Sequence, residues 1–437
     1  MDGDPSVEPE LDSFSLTLPL PYRAALVIVL GVWAWGANLH YLSLVKIDVP
    51  SLLHYPSRAS PRTDPPHHLS TYRLATLLTL PLSFSLLLFW LLSRRDPVLV
   101  IHYDYLPIAY LVLLLALFLL PLRRFSSSGR TRFLTTLRRI SIGGLAPSNA
   151  GKFGDILLAD VLTSYAKIIA DLFVSLCMFF SSPSGSATAR PDRGCGGQYL
   201  VPIIIAIPSL IRLRQCLIEY VRVRSQNIKN GGMSAQTGWG GQHLANAAKY
   251  ASAFPVIVLS ALQRNLSLDH EDIGVTETTL YRLWLFAVFV NSIYSFYWDV
   301  AKDWDLTLFS SLPSPFSSKP RSLSLHRPLS SSEPPFGLRE RLVFPSPGIY
   351  YYAIALDFLL RFTWSLKLSP HLDHFADFES GIFVMECLEV GRRWMWIFFR
   401  VETEWVRSLG GGARGEGLLG QEEVLLGDYS GGNSDED

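Results

Sequence analysis

The sequence predicts an all-α fold, a polytopic transmembrane helical bundle of about 8–10 spans. Three observations predict it. Hydrophobic residues make up 49% of the 437-residue chain and charged residues only 17%, against roughly 25% charged in an average soluble protein. The apolar residues are bunched into runs long enough to cross a hydrocarbon core of about 30 Å. From residue 120 onward the connections between runs alternate between basic and Arg-poor, as the positive-inside rule requires of a multi-pass chain. Formal net charge is zero, so no basic surface marks a nucleic-acid partner; the partner implied by composition is the lipid bilayer.

Residues 1–21 form a short acidic segment, "MDGDPSVEPELDS" and its continuation. It lacks the positive n-region of a cleavable signal, so the first apolar run is expected to remain a membrane helix. Residues 22–144 hold the N-terminal spans, 22–45, 72–93 and 98–121, and a basic loop. These runs are nearly unbroken Leu, Val, Ile and aromatic residues, the pattern of lipid-facing helices. Residues 145–408 hold the expected spans 155–180, 199–220, 247–264, 280–300, 348–367 and 381–400. Charged residues punctuate these later runs, and lipid does not tolerate them, so the functional core is placed here.

Loop 122–140 carries six arginines and is expected on the cytosolic side, with the basic 221–230 and 301–347 segments. Segments 265–280 and 369–380 contain no Lys or Arg and are expected on the lumenal side, where Asn265 is a formal glycosylation acceptor. Arg94 and Arg95 break the alternation and leave the N-terminal topology open. Segments 182–198, 310–336 and the Gly-rich acidic tail 409–437 are expected to be disordered, since none can bury enough apolar surface to offset ordering entropy. The four cysteines, Cys177, Cys195, Cys216 and Cys387, lack C-x-x-C spacing and are expected to be reduced, with no disulfide framework and no zinc site.

The charges inside the runs fall at helical spacing. Asp299 and Asp303 are four apart in "SIYSFYWDVAKDWDL"; Asp160, Thr163 and Ser164 form a stripe in "LLADVLTS"; Asp357 and Arg361 repeat the spacing in "YYYAIALDFLLRFTW". Glu389 precedes Arg392 and Arg393, while Arg212 and Lys249 come from two further runs. Arg214, Glu219, Arg222 and Glu389 are expected to be structural ion pairs or end residues. Arg212, Lys249, Arg361, Arg392 and Arg393 supply more positive charge than helix pairing needs. A converging Arg/Lys cluster suits a dianionic oxygen ligand, because guanidinium forks match phosphate oxygens. Asp303-Trp304-Asp305 has the D-x-D spacing of a sugar-nucleotide metal site, but no nucleotide-binding domain accompanies it, and His67-His68 or His371/His374 alone make no metal centre. No G-x-S-x-G, P-loop or H-E-x-x-H occurs, so no catalysis, metal or cofactor is expected.

The strings "LLADVLTS", "PSLIRLRQCLIEY", "NAAKYASAFPV", "YSFYWDVAKDWDL", "YYYAIALDFLLRFTWSLKLS" and "LEVGRRWMWIFFRVETEWV" resemble, in order, the blocks of the EXS domain over roughly 145–408. That domain is shared by the retroviral-receptor phosphate exporter of animals, the plant phosphate exporters and the fungal ER-retention-defective (Erd) Golgi proteins. Only about 20 residues precede the first span, so the soluble SPX sensor of the exporters is not expected, and the chain looks like the Erd-type branch. The resemblance implies a phosphate path through Asp160, Arg212, Lys249, Tyr250, Asp299, Asp303, Arg361, Arg392 and Arg393, with Trp364 at a constriction. Thr163 stands where the family has an Asn, and altered affinity is the expected consequence.

The function so implied is a multi-pass Golgi transporter or channel, cycling with the ER. It would return inorganic phosphate released by glycosylation from lumen to cytosol, and so support glycosylation and retention of resident proteins. The alternative is a non-transporting trafficking factor that works with the machinery recycling Golgi glycosyltransferases, through the 301–347 loop and the tail. An intramembrane enzyme using the D-x-D is the third reading, and the weakest.

Overall fold

The computed structural model describes residues 11–55, 66–120, 127–147, 151–181, 186–229, 240–269, 277–309, 335–363 and 379–412. Within them the chain is helical and contains no strand. A short α1 (Ser13–Thr17) leads into α2 (Leu20–Leu44), followed by α3 (Val49–Leu52), α4 (His67–Ser93), α5 (Pro97–His102), α6 (Tyr105–Leu119) and α7 (Ser127–Arg138). The second part holds α8 (Lys152–Ser164), α9 (Ala166–Ser181), α10 (Leu200–Lys229), α11 (Gly241–Ala251), α12 (Ala253–Asp269), α13 (Glu277–Trp298), α14 (Pro347–Arg361) and α15 (Glu379–Gly412).

Among the described residues, six stretches are long and apolar enough to cross a membrane, or seven if the bent α8–α9 pair is one span. They match the first seven predicted runs. The two remaining runs correspond to α14, described over 15 residues, and to α15, whose 34 residues are amphipathic rather than uniformly apolar. The chain is therefore a multi-pass, all-α membrane protein.

Helix α2 is the central post, packed against α4, α6, α9 and α15. On one side Leu74, Leu78, Phe89, Tyr110 and Leu114 close an apolar core around Tyr22 and Val29. On the other, Leu39 and Leu42 join a second core with Trp304, Tyr350, Trp396 and Phe399. Leu80, Phe84, Leu87 and Leu91 of α4 face outward at 60–72% exposure, the surface a bilayer would cover.

Helices in the second part are interrupted where the charges lie. Helices α8 and α9 are bent by 62° at Tyr165. The Thr163 hydroxyl donates to the Asp160 carbonyl at 2.7 Å, a side-chain bond that competes with the helical ladder and bends it. The break lies against α2, and only a glycine at Gly31 leaves room for the Tyr165 ring. Helix α13 runs into a π-helical turn, Asp299–Asp303. Such turns are rare and concentrate at functional sites.

Four expectations are corrected. Cys177 and Cys195 form a disulfide, with Cα atoms 6.1 Å apart; the turns after residue 186 fold back over the end of α9, a proximity that spacing in sequence does not reveal. Cys216 and Cys387 are free thiols. Residues 186–198 are ordered rather than disordered: Ala187 and Thr188 are fully buried, and the Thr188 hydroxyl donates to the Val100 carbonyl at 2.7 Å. Polar bonds and the disulfide hold this segment where apolar burial could not; residues 182–185 lie outside the described residues. Helix α12 continues through Asn265 to Asp269, since nothing in "QRNLSLD" breaks a helix, so the acceptor Asn sits in helical backbone and not in a loop. Helix α15 likewise runs on to Gly412, so the tail begins later than 409. Residues 310–334 and 413–437 lie outside the described residues.

Candidate functional site

The interrupted helices bring their ends together inside the bundle. Lys249 and Arg361 occupy the last turns of α11 and α14, where helix carbonyls carry partial negative charge and favour a cation. Thr163 and Ser164 end α8, the π turn presents Asp299 and Asp303, and α15 contributes Glu389, Arg392 and Arg393 from one face.

Asp299 is the hub. It is fully buried and accepts from Lys249 Nζ at 3.2 Å, from Arg392 Nη1 at 3.3 Å and from the Arg361 guanidinium through two nitrogens. Lys249 Nζ also stands 3.5 Å from Asp303, so the predicted pairing of Asp299 with Asp303 is realised around one ammonium. Asp357 adds a second bridge, 3.1 Å from Arg392 Nη1 and 3.5 Å from Arg361 Nε. Arg392 completes its fork on Glu389 at 2.9 and 2.7 Å. A lone buried charge costs several kcal/mol, and dense mutual pairing is what makes this cluster tolerable.

A neighbouring layer centres on Asp160. Its Oδ1 accepts from Arg212 Nε at 2.7 Å and from the Tyr250 hydroxyl. Arg212 also donates to Gln215 at 2.6 Å and lies over the Tyr250 ring, 4.8 Å from its centroid. Gln215 was missed in the sequence; its place three residues after Arg212, on the same helical face, is the signal that could have found it.

Arg393 differs from the other cations. Its Nε donates to Ser164 at 2.9 Å and its Nη2 to Thr163 at 3.2 Å. Its guanidinium lies 4.6 Å from the Trp396 ring centroid. It is 5% exposed, pairs with no carboxylate among the described residues, and its Nη1 has no hydrogen-bond partner. Ser164 in turn donates to Glu389 at 2.7 Å.

The structure thus gathers Asp160, Thr163, Arg212, Lys249, Tyr250, Asp299, Asp303, Arg361, Arg392 and Arg393 into one buried constellation. Trp364 lies outside the described residues. The expected surplus of positive charge is corrected: Asp160, Asp299, Asp303, Asp357 and Glu389 face the five cations, and four of these are already paired. The D-x-D residues diverge, Asp303 toward Lys249 and Asp305 to within 3.6 Å of Arg407. Arg222, Glu219 and Lys152 form a separate ion triad, and Arg214 donates to the Ile142 carbonyl; Glu389, grouped with them in the sequence, instead pairs with Arg392 inside the cluster. Among the described residues no His, Cys, Asp and Glu cluster is arranged to hold a metal.

Comparison with known proteins gives a consistent picture. The family model described as EXS family matches residues 18–406, reaching well into the N-terminal helices. The chain is 31% identical to Protein ERD1 homolog 1 of Schizosaccharomyces pombe, over 92% of this chain and 94% of that one. It is 33% identical to Protein ERD1 of Kluyveromyces lactis over 60% of this chain and 61% of that one. It is 28% identical to Solute carrier family 53 member 1 of Homo sapiens over 66% of this chain and 37% of that longer one.

Proposed function

The chain belongs to the EXS family, and from that premise we propose that it carries inorganic phosphate from the Golgi lumen to the cytosol, without enzymatic chemistry. The single observation that carries this reading is Arg393, a buried guanidinium with a free donor and two hydroxyls beside it but no carboxylate partner. An oxyanion reaching Arg393 would find Nη1 as its free donor, since the Thr163 and Ser164 hydroxyl protons are already given to the Asp160 carbonyl and to Glu389.

From there the path is a competition. Arg392, Arg361 and Lys249 each already hold Asp299, so a phosphate must displace a carboxylate to advance. That competition weakens each binding step, and a conducting pathway needs sites that release as readily as they bind. Arg212 and Tyr250, locked on Asp160, would orient the neighbouring layer. The site lies at the ends of discontinuous helices, the arrangement by which transporters build polar sites at membrane depth without exposing backbone to lipid. Removing lumenal phosphate would sustain glycosylation and the retention of resident proteins.

The test is phosphate flux into proteoliposomes holding the purified full chain. The Arg361→Ala, Arg392→Ala double variant is expected to lose flux while still inserting; wild-type flux from that variant overturns the assignment.

A further inference from the structure

The charged constellation ends abruptly on an aromatic layer. Trp396, whose ring lies 4.6 Å from the Arg393 guanidinium, is fully buried and shares an apolar core with Val300, Trp304, Tyr350 and Phe399. The Trp304 ring packs on Phe399 with centroids 4.9 Å apart, and Phe399 packs on Phe344 and Tyr350 at 5.4 and 5.3 Å. None of these side chains is more than 4% exposed. Trp304 and Phe344 belong to the basic 301–347 segment. Leu53 borders the same core, and its carbonyl accepts from Arg132 of the basic helix α7 at 3.1 Å. The layer therefore lies at the end of the bundle whose basic segments mark the cytosolic side. A phosphate leaving the cluster in that direction has to cross it, and a dry layer of rings does not solvate an anion.

Trp304 is held in an unusual way. Its indole Nε1 has no hydrogen-bond partner, so packing alone restrains the ring. Its backbone, by contrast, is bonded on both sides. The N–H donates to the Asp299 carbonyl at 2.9 Å, closing the π turn, and the carbonyl accepts from Arg339 Nη1 at 2.8 Å. The same nitrogen donates to the Thr403 hydroxyl at 2.6 Å, and Arg339 Nη2 lies 2.5 Å from Glu402 Oε2. Glu402 is fully buried, and its Oε1 accepts from the Val343 N–H at 2.7 Å and from the Tyr350 hydroxyl. One ion pair thus ties the π turn to α15 and to the segment before α14. Just past Trp304, Asp305 takes φ 55°, a left-handed conformation uncommon for a side-chain-bearing residue. A tryptophan between a π turn and a left-handed residue sits on a hinge. A buried ion pair adds little stability over a well-packed apolar pair, and its best-attested use is to specify one arrangement among competing ones.

We propose that Trp304 is the cytosolic gate of the path and that the Arg339–Glu402 pair is the latch that keeps it shut. The inference rests on the phosphate reading above. Asp299 and Trp304 are joined through the same π turn, so a phosphate that takes over the cations of Asp299 loosens the turn from the end opposite the latch. Release of the Trp304 carbonyl from Arg339 then lets the ring leave Phe399. Water enters the layer and the anion passes. Return of the ring restores the dry layer and the Arg339 bond together. Without phosphate the open form is a minor one, because it gives up the Arg339 bond and the ring contacts at once.

Thiol labelling of the reconstituted full chain tests this. With Cys216 and Cys387 replaced by Ser, Val300→Cys places a thiol beneath the layer, at a fully buried position. It should react slowly with a charged, membrane-impermeant thiol reagent on the cytosolic face. Two changes should each speed the reaction: Trp304→Ala, and the pair Arg339→Gln with Glu402→Gln, which removes the latch without leaving a lone buried charge. The rate should rise at least about tenfold, since a minor conformer is populated at about 0.1–10%, and phosphate flux should rise with it. Trp304→Phe keeps the ring bulk and should keep the thiol protected. A separate reporter, Leu78→Cys in the core between α2, α4 and α6, is equally buried and should stay protected in every background. Unchanged labelling at Val300→Cys in Trp304→Ala, or a parallel rise at Leu78→Cys, overturns the gate. Labelling in Trp304→Ala but not in the double Gln variant overturns the latch. If no variant moves phosphate, the transport reading fails, while the labelling still decides the gate.

Discussion

Two regions of the molecule bury side chains of opposite character. Between α2, α4 and α6 the interior is Leu74, Leu78, Leu82, Phe89 and Leu114, and its few polar groups are answered locally: the Tyr22 hydroxyl by Ser85, the Tyr110 hydroxyl by the Leu78 carbonyl at 3.0 Å. Between α8, α11, α14, α15 and the π turn, the interior is carboxylates and guanidiniums, with Asp299 held by three cations from three different helices. The first region is tolerant by kind, because any apolar side chain of the right volume fills it. The second is exacting, because removing one member leaves the others charged and buried. Of the helices that deliver charge to this point, α8, α11 and α13 break or end there, while α10 and α15 carry theirs on continuous helix.

Four changes would break or sharpen that contrast. Asp299→Ala leaves Lys249, Arg361 and Arg392 without their common acceptor, and should cost about 3–5 kcal/mol, read as a large fall in thermal midpoint in detergent. Leu78→Ala, in the apolar region, should cost about 3 kcal/mol through its cavity yet leave phosphate flux per folded molecule unchanged; a flux defect there would erase the division between the two regions. Replacing Cys177 and Cys195 by Ser removes a crosslink 18 residues long in sequence and should cost about 2–3 kcal/mol, checked by unfolding with and without reductant. Arg393→Lys retains the charge but loses the fork, and should lower phosphate flux about tenfold, an effect of about 1.4 kcal/mol, with the unfolding midpoint nearly unmoved because no carboxylate depends on it.

Much of this was legible in the linear chain. Apolar runs marked the helices, since a bilayer sets their length and composition. The i, i+4 spacing of Asp299 with Asp303 and of Asp357 with Arg361 marked which charges share a face, and the ordered blocks around them tied the chain to its family. Less legible were the pieces held by specific bonds instead of composition. The 186–198 turn reads as disordered because it is small and polar, yet a disulfide, the Thr188 bond and the Arg193–Glu379 pair fix it. The positive surplus read from the arginines disappeared once Asp357 and Glu389 were seen to face them.

The sequence by itself determined that this is an all-α membrane protein with ionisable groups at fixed depths along its helices, because hydropathy and helical period are local properties. Only the tertiary structure decided the partners. Lys249 finds Asp299 across 50 residues and Arg393 finds Ser164 across 229, and that choice depends on where α8, α11, α13 and α14 break or end. The same packing left Arg393 with a free donor. Charge pairing falls steeply with distance in a low dielectric, so which carboxylate meets which cation is settled by the last few ångströms of helix packing.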